Sequence, residues 1–126
     1  NHLFQACGIN TERISLQLNL DELTLNIDTA IPCGLIINEL ISNALKYAFP
    51  DGKQGTIYMA LHGGEGKPYT IIIRDDGIGL PLNWESQATS TLGLQLVQIL
   101  AQQLEGTLEV KGSDGAEFRL TFNQEL

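Results

Sequence analysis

Residues 38–47, NELISNALKY, constrain this chain more than any other stretch, because they set one polar helical face against one apolar face. At about 100° per residue, Glu39, Asn43 and Lys46 fall within roughly 60° of arc. The opposite face carries the apolar side chains Ile37, Leu40, Ile41, Ala44 and Ala48. The pattern predicts a helix that packs on one side. Its polar side is either solvated surface or a ligand-facing stripe.

Apolar and polar residues alternate on both sides of this helix, and such alternation predicts β-strands. The predicted strands are residues 13–20, a short strand or extension at 23–27, and residues 55–62, 69–75, 107–111 and 115–122. A second helix is predicted to open at residues 91–96 and to end at Gly106. This order predicts an α+β fold, a two-layer sandwich in which helices cover one face of a mixed β-sheet.

Both ends of the central helix carry sequence signals. Asp28 or Thr29 is expected to cap its N-terminus, with Pro32 in the first turn, where a missing N–H costs little. Residues 49–52, Phe-Pro-Asp-Gly, indicate a stop and a turn. A glycine-rich loop is predicted at residues 63–68, between the two strands that follow.

Asp75 is unusual because it continues the inward row of Ile71 and Ile73 at the end of a predicted strand. A buried carboxylate is costly without a partner and normally accepts hydrogen bonds. The glycines that follow, Gly77 and Gly79, allow a tight turn and a close approach to a ligand without a Cβ in the way. We therefore expect a binding loop directly after this strand.

The segment between this loop and the second helix has little periodicity. Residues 81–92 are polar, contain the only tryptophan, Trp84, and are interpreted as a mobile loop over a site. The helix that follows opens with Gly93 in its first turn. A glycine there can bring the unpaired N–H groups of the turn against a phosphate.

Charge and composition limit what such a site can bind. The 126 residues predict one domain, and the balance of 7 Lys+Arg against 15 Asp+Glu argues against a nucleic-acid backbone as ligand. An anionic small ligand would therefore depend on a metal, a lysine or backbone N–H groups. The sequence predicts no membrane span and no export signal. Cys7 and Cys33 are expected to be reduced thiols in the cytosol.

Four motifs occur in a defined order along the chain. They are Glu39-x-x-x-Asn43, Asp75-x-Gly77-x-Gly79, Gly93-Leu94-Gln95-Leu96 and Gly115-Ala116-Glu117-Phe118. Each alone is more often structural than functional. Together they resemble the ATP-binding superfamily of histidine kinases, gyrase B subunits, ninety-kilodalton heat-shock chaperones and mismatch-repair ATPases. Within it the sequence is most similar to sensor histidine kinases of the second phosphoacceptor type, which implies a Bergerat-type ATP-binding fold.

The resemblance implies ATP and Mg²⁺ as cofactors and a role for each matching residue. Asn43 would give its amide oxygen to Mg²⁺, and Lys46 would approach a phosphate as a point charge. Asp75 would accept the exocyclic amine of adenine. The remaining nucleotide-binding residues that it implies are Tyr47, Gly77, Gly79, Thr91, Leu92, Gly93 and Leu94. Tyr47 could equally be an aromatic residue that packs at the helix end.

Two positions depart from, or divide, the family pattern. A glutamate at the position of Glu39 is found both in gyrase-like ATPases and in the favoured kinase subgroup, so this residue does not distinguish a kinase from a hydrolase. We predict that it is catalytic, either as a general base or as a residue that acts on the magnesium site indirectly. Ala116 stands where many family members have a threonine near the adenine, so one polar contact is expected to be absent or replaced by water.

The implied function is transfer of the γ-phosphate of Mg-ATP to a histidine on an adjacent dimerisation domain. Neither His2 nor His62 lies in a helical dimerisation motif. Residues 1–10 are interpreted as the remnant of a preceding dimerisation and phosphoacceptor region, and residues 11–126 as the ATP-binding catalytic domain. The implied partners are that dimerisation domain, the receiver domain of a response regulator and a second copy of the parent protein.

Other functions share these motifs. A stand-alone protein-serine kinase of the anti-sigma-factor type, a gyrase-like ATPase module and a degenerate nucleotide-sensing domain are the alternatives. Appreciable hydrolysis by the isolated domain would favour the ATPase. A cytoplasmic location is expected for this domain, and membrane attachment of the parent protein is left open.

Overall fold

The computed structural model describes residues 14–21, 24–49, 54–64, 66–78, 92–112 and 115–123. The elements, in chain order, are β1 (Ile14–Leu20), α1 (Ile27–Asn43), a π-helical segment (Ala44–Ala48), β2 (Gly55–Gly64), β3 (Lys67–Asp75), α2 (Leu92–Gln103), β4 (Thr107–Lys111) and β5 (Glu117–Phe122). The strands form one sheet in the order β1-β2-β3-β5-β4. Strands β1 and β2 are parallel, and all other neighbours are antiparallel.

One face of the sheet packs against both helices, and the core lies between these two layers. The largest fully buried side chains come from both layers: Ile14, Ile36, Ile57, Ile71, Val97 and Leu120. Burial of one such side chain stabilises the fold by about 1.5–3 kcal/mol. The prediction of a two-layer α+β sandwich with a mixed sheet is confirmed. The alternation in β3 also holds, because Tyr69, Ile71, Ile73 and Asp75 are all buried.

The chain between β1 and α1 differs from the prediction. Of the short strand or extension expected at residues 23–27, the strand is wrong, since residues 24–26 belong to no strand and Ile27 is the first residue of α1. Asn26 has an extended backbone, with φ −70° and ψ 163°. The hydroxyl of Tyr69 donates a hydrogen bond to the carbonyl oxygen of Thr24 at 3.3 Å. The alternating residues of this segment therefore lead into the helix rather than into the sheet.

The N-cap of α1 is Asn26, not Asp28 or Thr29. Its side-chain oxygen accepts a hydrogen bond from the N–H of Thr29 at 3.0 Å, which satisfies one of the free donors of the first turn. The helix therefore begins earlier than predicted. Pro32 consequently lies in the second turn of α1 rather than in the first.

The end of the central helix contains a feature that the sequence did not predict. After Asn43 the backbone continues as the π-helical segment Ala44–Ala48, and Phe49 is the residue that ends it. The N–H of Ala44 is shared between the carbonyl oxygens of Leu40 and Ile41 at the junction. Short π-helical turns inside α-helices occur frequently at functional sites. Phe49 confirms the predicted stop, whereas residues 50–53 lie outside the described part of the chain.

The later strands differ from the prediction only at their ends. Strand β2 extends to Gly64 and β3 begins at Lys67, so the predicted loop at residues 63–68 is shorter than expected. Gly63 and Gly64 both have positive φ values, of 141° and 126°, and they allow the strand to continue past a register shift. Strand β5 begins at Glu117, two residues after the predicted start.

Helix α2 ends in a hydrogen-bonded turn that places a non-glycine residue in the left-handed region. Glu105 has a φ of 54° and donates its N–H to Gln102, while the N–H of Gly106 bonds to Ala101. Gly106 is needed for space, because a Cβ there would lie 2.8 Å from Leu120 Cδ1. The helix ends at Gln103 and its final turn runs to the stop predicted at Gly106, but the unusual backbone angle belongs to Glu105.

Replacing Glu105 by glycine is expected to raise the free energy of unfolding by about 1 kcal/mol, since the left-handed region is unfavourable for residues with a Cβ. Urea denaturation at 25 °C measures the change. Glu105→Ala is the matched control, because it removes the same charge from the helix C-terminus but keeps the Cβ. An equal gain from the alanine variant would show that charge, not backbone geometry, causes the effect.

Candidate active site

Asp75 lies at the end of β3 with only 6% of its surface exposed. Its Oδ1 accepts hydrogen bonds from the N–H groups of Gly77 at 2.9 Å and of Ala116 at 3.3 Å. Among the described residues both donors reach this one oxygen, and Oδ2 receives none. The carboxylate therefore has the partners that its burial requires, and it keeps one oxygen for a further donor.

Burial raises the pKa of the Asp75 carboxyl above its ordinary value. The hydrogen bonds from Gly77 and Ala116 oppose this increase in pKa, and the neighbouring charge of Asp76 adds to it. Because the folded state holds the proton more tightly, the stability that this group contributes falls as the pH rises from about 3.8 through the raised pKa. A carboxylate kept at such a cost is typical of a functional site.

The loop after Asp75 packs directly against the end of the central helix. The N–H of Ile78 donates to the carbonyl oxygen of Ala48 at 3.0 Å. A Cβ on Gly77 would collide with the same carbonyl group. Gly77 is therefore required for the contact that joins the loop to the π-helical segment, whereas Gly79 lies outside the described residues.

A second segment, just before β5, holds Asp75 from the other side. Ala116 accepts the backbone N–H of Asp75 at 2.9 Å and returns its own N–H to the Asp75 carboxylate. Gly115 has a φ of 83°, and a Cβ on it would collide with the backbone carbonyl of Asp75. Sequence reasoning considered only the side chain at Ala116. The glycine at the first position of the strand predicted at residues 115–122 is the signal that the backbone approaches closely here.

The polar side of α1 brings Glu39 and Asn43 together, one helical turn apart and both half-buried. Lys46 is exposed and lies in the π-helical segment. A π-helical turn, with its i→i+5 hydrogen bonds, holds more residues than an α-helical turn. The 100° spacing used for the prediction therefore applies between Glu39 and Asn43 but not from Asn43 to Lys46.

Helix α2 begins at Leu92, within the start predicted at residues 91–96, so Gly93 lies in its first turn. Leu94 is partly buried and packs against the core, so any contact of this residue with a phosphate would come from its N–H. Of the loop predicted at residues 81–92, Leu92 belongs to α2 instead, and residues 81–91, which include Trp84 and Thr91, lie outside the described residues. Residues 1–10, with His2, and the side chain of Tyr47 also lie outside them.

The described residues contain no group of three or more His, Cys, Asp and Glu side chains that could hold a metal ion. Cys33 is buried in α1, and burial raises the pKa of its thiol to about 11, which makes it unreactive. Nδ1 of His62 lies 3.3 Å from a carboxylate oxygen of Asp21, at the far end of β2. None of the described helices is both long enough and apolar enough to cross a membrane.

Comparison with known proteins gives one family. Residues 28–126 match the family described as histidine kinase-, DNA gyrase B- and HSP90-like ATPase. The blue-light-activated histidine kinase 2 of Erythrobacter litoralis is 29% identical over 103 residues, which are 81% of this chain and 30% of that protein. The sensor histidine kinase PdtaS of Mycobacterium tuberculosis is 30% identical over 69% of this chain and 18% of that protein. The chain thus spans less than a third of each relative.

Solved structures agree with these sequence matches. The histidine kinase domain of the Erythrobacter litoralis EL346 blue-light-activated histidine kinase superimposes with a TM-score of 0.84 at 25% identity, over 96% of this chain and 55% of that one. The Acinetobacter baumannii histidine kinase AdeS has a TM-score of 0.78 at 17% identity, over 99% of this chain and 62% of that one. The second likeness is one of fold.

Proposed function

Because this chain belongs to the family of histidine kinase-, DNA gyrase B- and HSP90-like ATPases, we propose that it binds Mg-ATP as the catalytic domain of a sensor histidine kinase. The domain would act in the cytoplasm on a histidine of its parent protein. Its task is to position the triphosphate and neutralise its charge for in-line transfer of the γ-phosphate.

The observation that carries the proposal is the buried Asp75 carboxylate. Its Oδ1 accepts the N–H groups of Gly77 and Ala116, and no described residue donates to Oδ2, so we propose that Oδ2 accepts a hydrogen bond from a ligand. An ionised carboxylate only accepts hydrogen bonds, which selects ligands that present a donor. The exocyclic amine of adenine is such a donor.

The side-chain oxygen atoms on α1 are suited to bind a magnesium ion that carries a triphosphate. Mg²⁺ prefers oxygen ligands and is usually held by one or two protein oxygens together with phosphates. Asn43 supplies an amide oxygen, and Glu39 supplies a carboxylate one turn away. Magnesium, when bound, would neutralise part of the triphosphate charge. Lys46 and the first N–H groups of α2, around Gly93 and Leu94, would meet the phosphates.

The first experiment is calorimetric titration of the chain with a non-hydrolysable ATP analogue, with Mg²⁺ and with EDTA. Through its contact with Asn43, Mg²⁺ is expected to increase the affinity of the wild type for the ATP analogue by about 10-fold, which corresponds to about 1.4 kcal/mol. Asn43→Ala should remove this dependence on Mg²⁺. Asn38→Ala, an exposed asparagine on the same helix, should keep it. Absence of any binding heat from the wild type would contradict the proposal.

Phosphoryl transfer needs the parent protein and a labelled γ-phosphate. A phosphohistidine product is acid-labile and alkali-stable, whereas an acid-stable phosphoserine would favour the anti-sigma-type kinase. Rapid hydrolysis by this domain alone would favour a gyrase-like ATPase. Glu39→Gln separates the two roles of that residue, because normal transfer in this variant would exclude a general base. A receiver domain that accepts the phosphate from the histidine would complete the proposed phosphorelay.

A further inference from the structure

Asp76 is exposed, yet it ties the end of β3 to the start of β2. Its Oδ1 accepts a hydrogen bond from the N–H of Thr56 at 2.7 Å, and its own N–H donates to the carbonyl oxygen of Thr56 at 3.2 Å. A hydrogen bond from N–H to a carboxylate is roughly twice as strong as one between neutral groups. The two bonds fix the direction in which the chain leaves the sheet after Asp75.

The contact between Asp76 and Thr56 also requires a glycine at position 55, directly before Thr56. A Cβ on Gly55 would lie 2.7 Å from Oδ1 of Asp76 and would collide with the ring of Phe49. We call Gly55, Thr56 and Asp76 the bracket. Because Phe49 ends the π-helical segment, the bracket also contacts the helix that carries Asn43. It therefore joins three elements of the candidate site.

Each N–H from Asp75 to Ile78 donates to a different residue. Asp75 donates to Ala116, Gly77 donates to the Asp75 carboxylate, and Ile78 donates to Ala48. The Asp76 side chain bonds to strand β2, whereas that of Asp75 bonds within the turn and to Ala116, just before β5. The position of the Gly77 N–H, and with it the orientation of the Asp75 carboxylate, depends on this turn.

We propose that Asp76 is a positioning residue of the nucleotide site, which aims Oδ2 of Asp75 at the exocyclic amine of adenine by holding the N–H of Thr56. The inference rests on the proposed function, because it assumes that adenine is the ligand of Asp75. Asp76 itself does not touch the nucleotide. Its effect is on the choice of base rather than on the phosphates.

The test compares the affinities of the chain for ATP and ITP, measured by calorimetry on variants shown to be folded by circular dichroism. ITP has a carbonyl oxygen where ATP has the amine, so its 6-position accepts a hydrogen bond instead of donating one to Asp75. The wild type is expected to prefer ATP by about 100-fold, and Asp76→Ala should reduce this preference to about 10-fold, mainly by weakening ATP binding. Asp76→Asn keeps an acceptor oxygen and should stay within about 3-fold of the wild type.

Two controls separate positioning from general stability. Glu109→Ala removes a matched exposed acid from β4 and should leave both affinities unchanged. In an Asp75→Asn background, where an NH₂ group replaces Oδ2 and favours ITP, Asp76→Ala should weaken ITP binding rather than ATP binding, because it acts through the side chain at position 75. If Asp76→Ala does not fold, Asp76→Ser replaces it, because the serine oxygen lies one bond closer to the backbone than the carboxylate oxygens of aspartate.

The outcomes distinguish this inference from the proposed function. If Asp76→Ala weakens ATP and ITP binding equally, or changes neither, Asp76 has no positioning role although the site still binds ATP. If its effect persists unchanged in the Asp75→Asn background, it does not act through Asp75 and the inference also fails. A wild type without any preference for ATP would overturn the proposed role of Asp75, and this inference with it.

Discussion

Replacing Asp75 by asparagine is expected to reverse the base preference of the site, with ATP binding weakened by about 100-fold and ITP binding strengthened. The N–H groups of Gly77 and Ala116 both require an acceptor at the position of Oδ1. They therefore force the amide oxygen there and the NH₂ group into the place of Oδ2. This NH₂ group would face the amine of adenine donor to donor, but it could donate to the carbonyl of ITP. Calorimetric titration of the wild type and of Asp75→Asn, each with ATP and with ITP, measures the reversal.

The same variant should not lose stability. Burial raises the pKa of Asp75, so at neutral pH the wild-type fold contains an ionised carboxylate that would be more favourable in the unfolded chain. Asparagine keeps the two backbone hydrogen bonds without the charge. In urea denaturation Asp75→Asn should equal or exceed the wild type at pH 7, and its advantage should shrink as the pH falls toward the ordinary carboxyl range. A variant that is much less stable at pH 7 would contradict this account of the carboxylate.

Loss of ATP binding without loss of stability would separate function from folding at this position. Residues that are conserved in a fold for packing usually reduce stability when they are replaced, whereas residues kept for a ligand often do not. The contrast is sharp here because the two oxygens of Asp75 have different partners. One oxygen serves the backbone, and we propose that the other serves the nucleotide.

Sequence reasoning succeeded where side chains follow a period. The alternation Ile71, Ile73, Asp75 fixed the face on which the carboxylate lies, because a slip of one residue would have exposed the whole row. The two-layer sandwich followed from the same alternation together with two amphipathic helices. The family was predicted from four motifs and is confirmed by the match over residues 28–126.

Prediction from the sequence failed where several neighbouring residues are equally good candidates for one role, and where the contacts are made only by backbone atoms. Asn26, Asp28 and Thr29 are all good N-caps within four residues, and the sequence alone does not choose among them. Ala48 acts through its carbonyl oxygen, which every residue type has. Ala116 acts through its backbone N–H, which every residue type except proline has. Their roles at the site depend on the path of the chain, and no side-chain pattern reports that path.

Replacing Gly115 by alanine is expected to lower the free energy of unfolding by about 3 kcal/mol and to weaken ATP binding. Left-handed backbone costs a residue with a Cβ about 1–2 kcal/mol, and forcing extra volume into a packed region costs about 1–3 kcal/mol more. The Cβ would collide with the backbone carbonyl of Asp75, so relief of the collision must displace the proposed adenine acceptor. Urea denaturation and titration with an ATP analogue measure the two effects.

Gly66 provides a control with nearly the same backbone angle. Its φ is 78°, against 83° for Gly115, but a Cβ on Gly66 would have no atom within 4 Å. Gly66→Ala should therefore cost only the backbone term, about 1 kcal/mol, and should leave ATP affinity unchanged. The difference between the two variants isolates the contact with Asp75. If both variants lost the same stability and bound ATP equally well, the close approach of residues 115 and 75 would have no importance for the site.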